Sequence, residues 1–307
     1  MTKNSKHEFG KYDFLSKAGM YMAISSVIVL VSLGVMFSKG FSYGIDFSGG
    51  TEIQVKFEQE MQTSIIRDYI NKLGYNSASV QNFGEGNEFL IRMGSLKGKT
   101  EKETNYLLNT MIKKVSNGIT DSYKTEGALI RRVDSVGPQI GSELKRNGLL
   151  AAFYSFLMIL IYVGLRFDYK YAPGAVICLV HDALITLGIF SLFQREVNVQ
   201  TMAAILTIIG YSLNDTIVTF DRIRENVTLY KGKTFKFIIN KSLNDVLSRT
   251  MLTSVTTLLA VLVMYFMAGG VISDFAFTLA IGVVVGTYSS IFVASPLVLM
   301  FDRIQNK

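Results

Sequence analysis

The sequence predicts a polytopic α-helical membrane protein with six transmembrane helices, plus an α+β domain inserted between the first and second of them. Of the 307 residues, 49% are hydrophobic and only 18% are charged, whereas an ordinary soluble domain is roughly 25% charged. Six apolar runs also approach the roughly 20 residues that a helix needs to cross a bilayer. Together these observations favour a membrane protein.

The apolar runs set the predicted domain organisation. They occupy 18–37, 148–164, 173–193, 200–220, 250–270 and 275–300. The first run is longer than a signal-peptide core, and no small-residue cleavage site follows it closely, which predicts an uncleaved anchor. The rest of the chain is a tail of 1–17, an inserted domain of 38–147, a loop of 221–249 and a tail of 301–307.

Lysine and arginine concentrate on one side of these helices. The residues on that side are Lys3, Lys6, Lys11, Lys17, Arg166, Lys170, Arg222, Arg224, Lys231, Lys233, Lys236, Lys241, Arg249, Arg303 and Lys307. The short loops on the other side offer only Arg195. Because cytoplasmic loops carry the excess of such residues, both tails and the loop 221–249 are predicted to be cytoplasmic. The net charge of +7 therefore reflects topology, and nucleic-acid binding is not expected.

Residues 38–147 have the patterning of a soluble domain. Alternating apolar residues predict strands and 3.6-residue spacing predicts helices. The resulting segments are 50–57, 63–74, 77–84, 87–94, 102–115 and 127–137, with a turn at 84–87. Their order, β-α-β-β-α-β, predicts a ferredoxin-like domain on the extracytoplasmic (periplasmic) side.

Two further patterns concern helix packing. The segment 234–250 is amphipathic, so it either lies on the cytoplasmic membrane surface or packs on the helix bundle, and both interpretations stay open. Its apolar face comprises Phe235, Ile238, Ile239, Leu243 and Val246. Gly282 and Gly286 have the spacing that allows close contact between helices.

Asp215 is an ionisable residue inside the fourth apolar run, next to Asn214. Ionisable groups within a membrane are expensive and commonly functional. Helical spacing gives Asp215 a polar face, which it shares with Tyr211, Ser212, Thr219 and Arg222. This stripe predicts a protonation site, with a structural carboxylate bonded to an interior donor as the alternative.

Arg249 opens the fifth apolar run, on the same side of the membrane as Asp215, with Thr253 one turn later. A nearby arginine favours the charged form of a carboxylate, so a movable pair of these residues would act as a proton switch. Arg249 could instead bind lipid headgroups. Asn214 and Thr253 are predicted as possible support for this proton relay. His181 and Asp182, in the third run, either support the same relay or make a hydrogen bond that packs helices.

Other chemistries lack their motifs. No Walker A, HExxH or GxSxG pattern occurs, and the chain has too few cysteines and histidines for a typical structural zinc site. The single Cys178 cannot form an internal disulfide. No catalytic residue, cofactor or metal is therefore predicted, and the chain is not expected to be an enzyme.

Four stretches together resemble the SecF branch of the SecD/SecF protein-export family, in the resistance-nodulation-division superfamily. They are YGIDFSGGTEIQVKF (43–57), VGPQIGSEL (136–144), IIGYSLNDTIVTFDRIREN (208–226) and SLNDVLSRTMLTSVTTLLAV (242–261). The resemblance implies a proton site at Asp215 and Arg249. It places the family's signature residues at Gly44, Asp46, Gly49, Gly50, Gly137 and Pro138.

The signature also has a structural interpretation from its residues. Gly44, Gly49 and Gly50 suit a tight passage from a membrane helix into a strand, and Asp46 suits a turn. The stretch therefore marks the family without predicting an active site.

The resemblance implies a place in protein export. The six helices would form one half of a pseudo-symmetric unit, with SecD as the other half of a SecDF complex. That complex would draw on the proton-motive force to assist the SecYEG channel and SecA late in translocation across the bacterial cytoplasmic (inner) membrane. Further implied partners are YajC, YidC, the unfolded polypeptide in transit and membrane lipid.

Two other functions stay open. The chain could be half of a proton-driven small-molecule exporter of the same superfamily, although such exporters usually combine two halves and two large outer domains in one chain. It could also be an intramembrane aspartyl protease that uses Asp182 and Asp215. The Ser-Leu-Asn-Asp context of Asp215 argues against a protease.

Overall fold

The computed structural model describes residues 8–83, 86–96, 98–167, 171–268 and 270–305. Lys3, Lys6, Lys170, Lys307 and the first half of the predicted turn 84–87 lie outside these residues. The helices are α1 (Ala18–Lys39), α2 (Ile45–Ser48), α3 (Thr63–Lys72), α4 (Glu101–Ser122), α5 (Pro138–Arg166), α6 (Ala172–Leu192), α7 (Val199–Leu229), α8 (Phe235–Met267), α9 (Gly270–Ser289) and α10 (Ser295–Gln305). The strands are β1 (Ser42–Tyr43), β2 (Gly50–Lys56), β3 (Ser79–Asn82), β4 (Glu88–Met93), β5 (Leu129–Val136) and β6 (Glu196–Val197).

Six spans in the described part of the chain are long and apolar enough to cross a membrane, which confirms the predicted number. Five of them are α1, α5, α6, α7 and α8. The sixth, Ile272–Ile304, runs through α9, a π-helical turn (Ser290–Ala294) and α10. An even number of spans puts both ends of the bundle's chain on one side, called here the terminus side. The inserted domain occupies the opposite, domain side.

Several helices extend past the apolar runs that predicted them. Helix α5 begins at Pro138, which is well before 148, with Pro138 in the first turn and Gly137 as its N-cap. The predicted connection 221–249 is mostly helical: α7 continues to Leu229 and α8 begins at Phe235. Hydropathy detects only the apolar part of a helix, so charged helical ends outside the bilayer escape it.

The segment 234–250 packs on the bundle. Its apolar side chains Ile238, Ile239 and Leu243 are buried in the main core of the membrane helices, together with Leu15. The amide side chain of Asn240 accepts hydrogen bonds from the backbone N–H groups of Phe14 and Leu15, at 2.9 and 3.2 Å. The N-terminal arm therefore covers this face, and of the two open interpretations the structure shows packing on the bundle.

The inserted domain is a four-stranded antiparallel sheet in the order β3-β4-β2-β5. Its elements follow one another as β-α-β-β-α-β. Helices α3 and α4 supply buried residues that share one core with alternate residues of the strands. This core includes Ile53, Val55, Ile66, Ile70, Ile91, Met111, Val115 and Ile119.

The two glycines that predict close helix contact, Gly282 and Gly286, lie where α9 packs against α7. Helix α7 contacts α5, α6, α8 and α9. A Cβ added at Gly286 of α9 would lie 3.0 Å from the Cβ of Ser212, and one added at Gly282 would overlap Ile208. These two glycines therefore let α9 approach α7 closely.

Candidate functional site

A cluster of polar side chains lies buried where α6 and α7 meet α9 and the π-helical turn that follows it. Its members are His181, Asp182, Ser212, Thr216, Ser289 and Ser290, each at most 6% exposed. Buried polar groups are costly unless they are hydrogen-bonded. The pattern of bonds therefore shows which of these groups are structurally satisfied.

Asp182 is the centre of this polar cluster. Its Oδ2 accepts hydrogen bonds from the hydroxyls of Ser212 of α7, at 2.5 Å, and Ser289 of α9, at 2.8 Å. Its Oδ1 lies 2.8 Å from Nδ1 of His181. One carboxylate thus joins three membrane helices, and both of its oxygens are occupied.

His181 extends the cluster toward α1. Its ring stacks on Tyr288 with a centroid separation of 6.5 Å, and the Tyr288 hydroxyl lies 3.1 Å from Oγ of Ser25 in α1. Its Nε2 is buried without a hydrogen-bond partner among the described residues. The predicted pair of His181 and Asp182 is therefore one unit, bonded on the aspartate side and open on one ring nitrogen.

Asp215 lies on α7 three residues after Ser212, so the two side chains share a face roughly 5–6 Å apart. It is only 4% exposed, yet its Oδ2 is buried and has no hydrogen-bond partner among the described residues. Asp215 therefore adjoins the polar cluster without being bonded into it. An unsatisfied carboxylate in such a place is the group that gains most from taking up a proton.

The remaining predicted site residues differ in position. No hydrogen bond or ion pair joins the side chains of Arg249 and Asp215 among those that the structure describes. Arg249, Thr253 and Asn214 are exposed on the surface of the bundle. The Thr253 hydroxyl bonds only to backbone carbonyls of its own helix. Asn214 and Thr253 are therefore not part of the buried cluster.

The serines of the last span are the functional candidates that sequence reasoning missed. Ser290 lies 3.0 Å from the hydroxyl of Thr216, and Ser289 bonds to Asp182. Adjacent residues of a regular helix point about 100° apart, but here both serines are buried next to the π-helical turn. A pair of serines within an apolar run was the available signal.

The glycine-rich signature lies on the domain side and contacts α7. Asp46 accepts a hydrogen bond from the backbone N–H of Val199, the first residue of α7, at 3.1 Å. The backbone N–H of Gly44 donates to the carbonyl of Val197 at 3.0 Å, and β1 pairs in parallel with β6. The signature thus holds the start of the helix that carries Asp215.

Gly49 and Gly50 need their glycines for conformation and space. Both have positive φ angles, 69° and 135°. A Cβ at Gly49 would lie 3.1 Å from Cα of Pro138, and one at Gly50 would press on the carbonyl oxygen of Met93. The two signature segments therefore meet where α5 leaves the sheet.

Comparison with known families identifies the class of this protein. A profile described as "Protein export membrane protein SecD/SecF, C-terminal" matches residues 115–304, and a profile of the "SecD/SecF GG Motif" matches residues 34–61. The chain belongs to the SecD/SecF family of protein-export membrane proteins, as its resemblance predicts. It is a multi-pass membrane protein.

Individual relatives narrow the likeness to one branch of that family. The chain is 44% identical to the protein translocase subunit SecF of Calditerrivibrio nitroreducens, over 96% of this chain and 95% of the relative. It is 40% identical to the subunit of the same name from Escherichia coli O157:H7, over 94% of this chain and 87% of the relative.

A solved structure shares the fold. The crystal structure of SecDF from Thermus thermophilus, described as a translocon-associated membrane protein, matches with a TM-score of 0.82 and 35% identity. The match covers 95% of this chain but only 39% of that SecDF chain. A SecDF structure in a "Super-membrane-facing form" matches with a TM-score of 0.69 and 34% identity.

Proposed function

We propose that this chain is a SecF-type transport subunit that couples the proton-motive force to late steps of protein translocation across the bacterial inner membrane. The observation that carries the proposal is Asp215, a buried carboxylate with an unpartnered oxygen, beside a polar cluster that joins three helices. Protonation of Asp215 removes a costly buried charge, and deprotonation restores it. Helix packing around α7 would therefore differ between the two states.

The energies involved are of matching size. Moving one charge through the membrane field yields roughly 2.3 kcal/mol per 100 mV. Allosteric couplings between sites are typically about 1–3 kcal/mol. One proton per cycle is therefore enough to bias a change in helix packing.

Exposed polar side chains on α7 and α8 support a partner that supplies a second membrane half. Arg249, Thr253 and Thr256 lie on an exposed face of α8, and Asn214 is exposed on α7. Polar groups within membrane spans commonly face a bundle interior rather than lipid. A SecD subunit that covers this face would make Asp215 and Arg249 an interior site of a SecDF complex, with lipid around the apolar faces.

The orientation follows from charge. Basic residues on the terminus side support cytoplasmic termini, so the inserted domain would be periplasmic. The strand order β3-β4-β2-β5 supports its assignment as a ferredoxin-like domain. The SecYEG channel, SecA, YajC, YidC and the unfolded polypeptide in transit are then the partners of the complex.

The test replaces Asp215 by Asn, which is isosteric and cannot take up a proton at neutral pH. Export into inverted membrane vesicles would be measured with and without a proton gradient, with the chain co-expressed with its SecD partner. We expect the stimulation by the gradient to be lost while export driven by ATP alone persists. Asp221→Asn is the matched control, because Asp221 is on α7 but pairs with Arg166 at the surface. Normal stimulation of the Asp215→Asn variant would refute the proposal.

The two alternatives are less well supported. A protease would need two carboxylates that share a catalytic water or proton, and both oxygens of Asp182 are bonded to His181, Ser212 and Ser289. An exporter half would release a small molecule and not require the Sec channel. Co-purification with SecD and SecYEG distinguishes an export subunit from both.

A further inference from the structure

The connection between α6 and α7 touches three parts of the molecule within four residues. Arg195 donates a hydrogen bond to Asp274 at the start of the sixth span, at 2.8 Å. The next residue, Glu196, belongs to β6 and pairs with Ser42 of β1. The preceding residue, Gln194, has a φ of 50°, the single positive value outside glycine in the described residues. This connection is therefore a fixed corner and not a loose loop.

Arg92 of β4 ties that corner to the inserted domain. Its Nη1 donates to Glu196, and its Nε and Nη2 both donate to Oε2 of Glu52, at 3.2 and 2.7 Å. Bonds of this kind between a planar guanidinium and carboxylates are strong and specific in geometry. Burial works to lower the pKa of Arg92, but the two carboxylates outweigh it and raise the pKa above its usual value. The arginine is thus always charged.

Helix α7 brings this contact into line with Asp215. Three residues after Glu196, the helix begins at Val199, whose N–H is held by Asp46. Asp215 lies sixteen residues further along the same helix, about 24 Å at 1.5 Å per residue. Because α7 is one unbroken helix from Val199 to Leu229, a displacement of the helix at Asp215 would carry to its first turn and to the adjoining Glu196. The spans that connect covalently to the inserted domain, α1 and α5, do not contain Asp215.

We infer that the ion pair between Arg92 and Glu196 is the contact through which α7 moves the inserted domain when Asp215 changes its protonation state. Arg92 and Glu196 are positioning residues, since neither touches the proton site. This inference rests on the proposed function, and it makes α7 the route of coupling although α1 and α5 are the spans joined covalently to the inserted domain.

The experiment compares the whole complex with its SecD partner in lipid nanodiscs, using Asp215→Asn as the permanently uncharged state. Hydrogen–deuterium exchange of peptides from 79–93 and 129–136 reports the position of the inserted domain. We expect Asp215→Asn to change their exchange rates, and Glu196→Gln to abolish that change. Glu196→Gln should also lower gradient-driven export roughly fivefold or more, the low end of known allosteric couplings.

Two control variants and one double variant distinguish a loss of coupling from a loss of folding. Arg131→Gln removes a 3.8 Å pair with Glu88 inside the same domain and should leave both measurements unchanged. Glu196→Asp keeps the charge and should retain most of the export stimulation. Because both partners act through one contact, Arg92→Gln combined with Glu196→Gln should be no worse than the more damaging single variant.

The outcomes separate this inference from the proposed function. If Asp215→Asn still exports normally, the proposed function fails, and the inference falls with it. If Asp215→Asn loses the stimulation but the exchange rates of the inserted domain do not respond, the inference alone is overturned. The same holds if they respond equally in the Glu196→Gln background.

Discussion

Two buried aspartates on neighbouring helices, Asp182 of α6 and Asp215 of α7, are treated in opposite ways by their surroundings. Asp182 receives hydroxyl hydrogen bonds from two neighbouring helices and contacts His181. Asp215 keeps one oxygen without a partner among the described residues. The difference teaches that a carboxylate in a membrane helix is not functional by its presence alone. A satisfied one holds helices together, and an unsatisfied one is available for a proton.

The largest expected effect comes from removing the hydrogen-bonded carboxylate of Asp182. Asp182→Ala leaves two serine hydroxyls and a histidine without their acceptor, so the free energy of unfolding should fall by about 3–5 kcal/mol. Thermal denaturation of the detergent-solubilised complex measures this. Asp215→Ala is the internal reference, and equal melting temperatures for the two variants would contradict the comparison.

The second expected effect tests whether the two sites share a mechanical link through Ser212. Gly286→Ala puts a methyl group 3.0 Å from the Cβ of Ser212, and overpacking of this kind costs about 1–3 kcal/mol. The melting temperature and the gradient-driven export should therefore both be lower than in the unchanged protein. Gly34→Ala in α1 is the matched control, because nothing lies within 4 Å of its added Cβ. Equal behaviour of the two variants would show that α7 and α9 pack loosely.

The third prediction is a gain in stability, whereas the first two are losses. Asp215→Ala removes a buried and incompletely bonded carboxylate, so the free energy of unfolding should rise by about 1 kcal/mol, although gradient-driven export is lost. Stability and export are thus expected to move in opposite directions at this position. A marked fall in melting temperature would mean that Asp215 is structural, like Asp182.

The smallest expected effect concerns Arg249. No hydrogen bond joins the guanidinium of Arg249 to Asp215 in the described residues. The effect of Arg249 on Asp215 should therefore depend on its positive charge and not on the planar, bidentate geometry of a guanidinium. Arg249→Lys should therefore retain most of the gradient-driven export, whereas Arg249→Gln should lower it by roughly fivefold. Export assays of both variants side by side provide the measurement. An equal loss in both would indicate a direct bond in the working state.

The sequence predicts the spans well because apolar length is a local property. It predicts the order of elements in the inserted domain for the same reason, since strand alternation and helical spacing are visible within each segment. It does not predict the charged end of α7, because helical hydrogen bonding continues where hydropathy falls. For α8 it predicts the amphipathic segment 234–250 but not that this segment and the fifth span form one helix. The short pairing of β1 with β6 joins distant segments of two residues each, which are too short to carry a pattern.

The candidate site is visible in the sequence only through its ionisable residues. Asp215, His181 and Asp182 stand out because charge is rare in apolar runs. Ser289 and Ser290 stand out only by being adjacent, because hydroxyls are common in membrane helices and bond readily to their own backbone. Which carboxylate is satisfied depends on the neighbours that folding supplies, so it could not be assigned from the spacing of residues on one helix.

The π-helical turn at Ser290–Ala294 determines which side chains of α10 face the core of the bundle. A π-turn accommodates one extra residue, so α10 is rotated by about 100° from the phase that α9 would impose. Ser295 donates to the carbonyl of Ser290, five residues earlier, at 3.1 Å, and fastens this offset. A deletion of one residue here would keep the composition of the span nearly intact. It would nevertheless turn the buried side chains Leu297 and Val298 away from the core. The number of residues in this span therefore determines which side chains face the core, as well as how far the span extends.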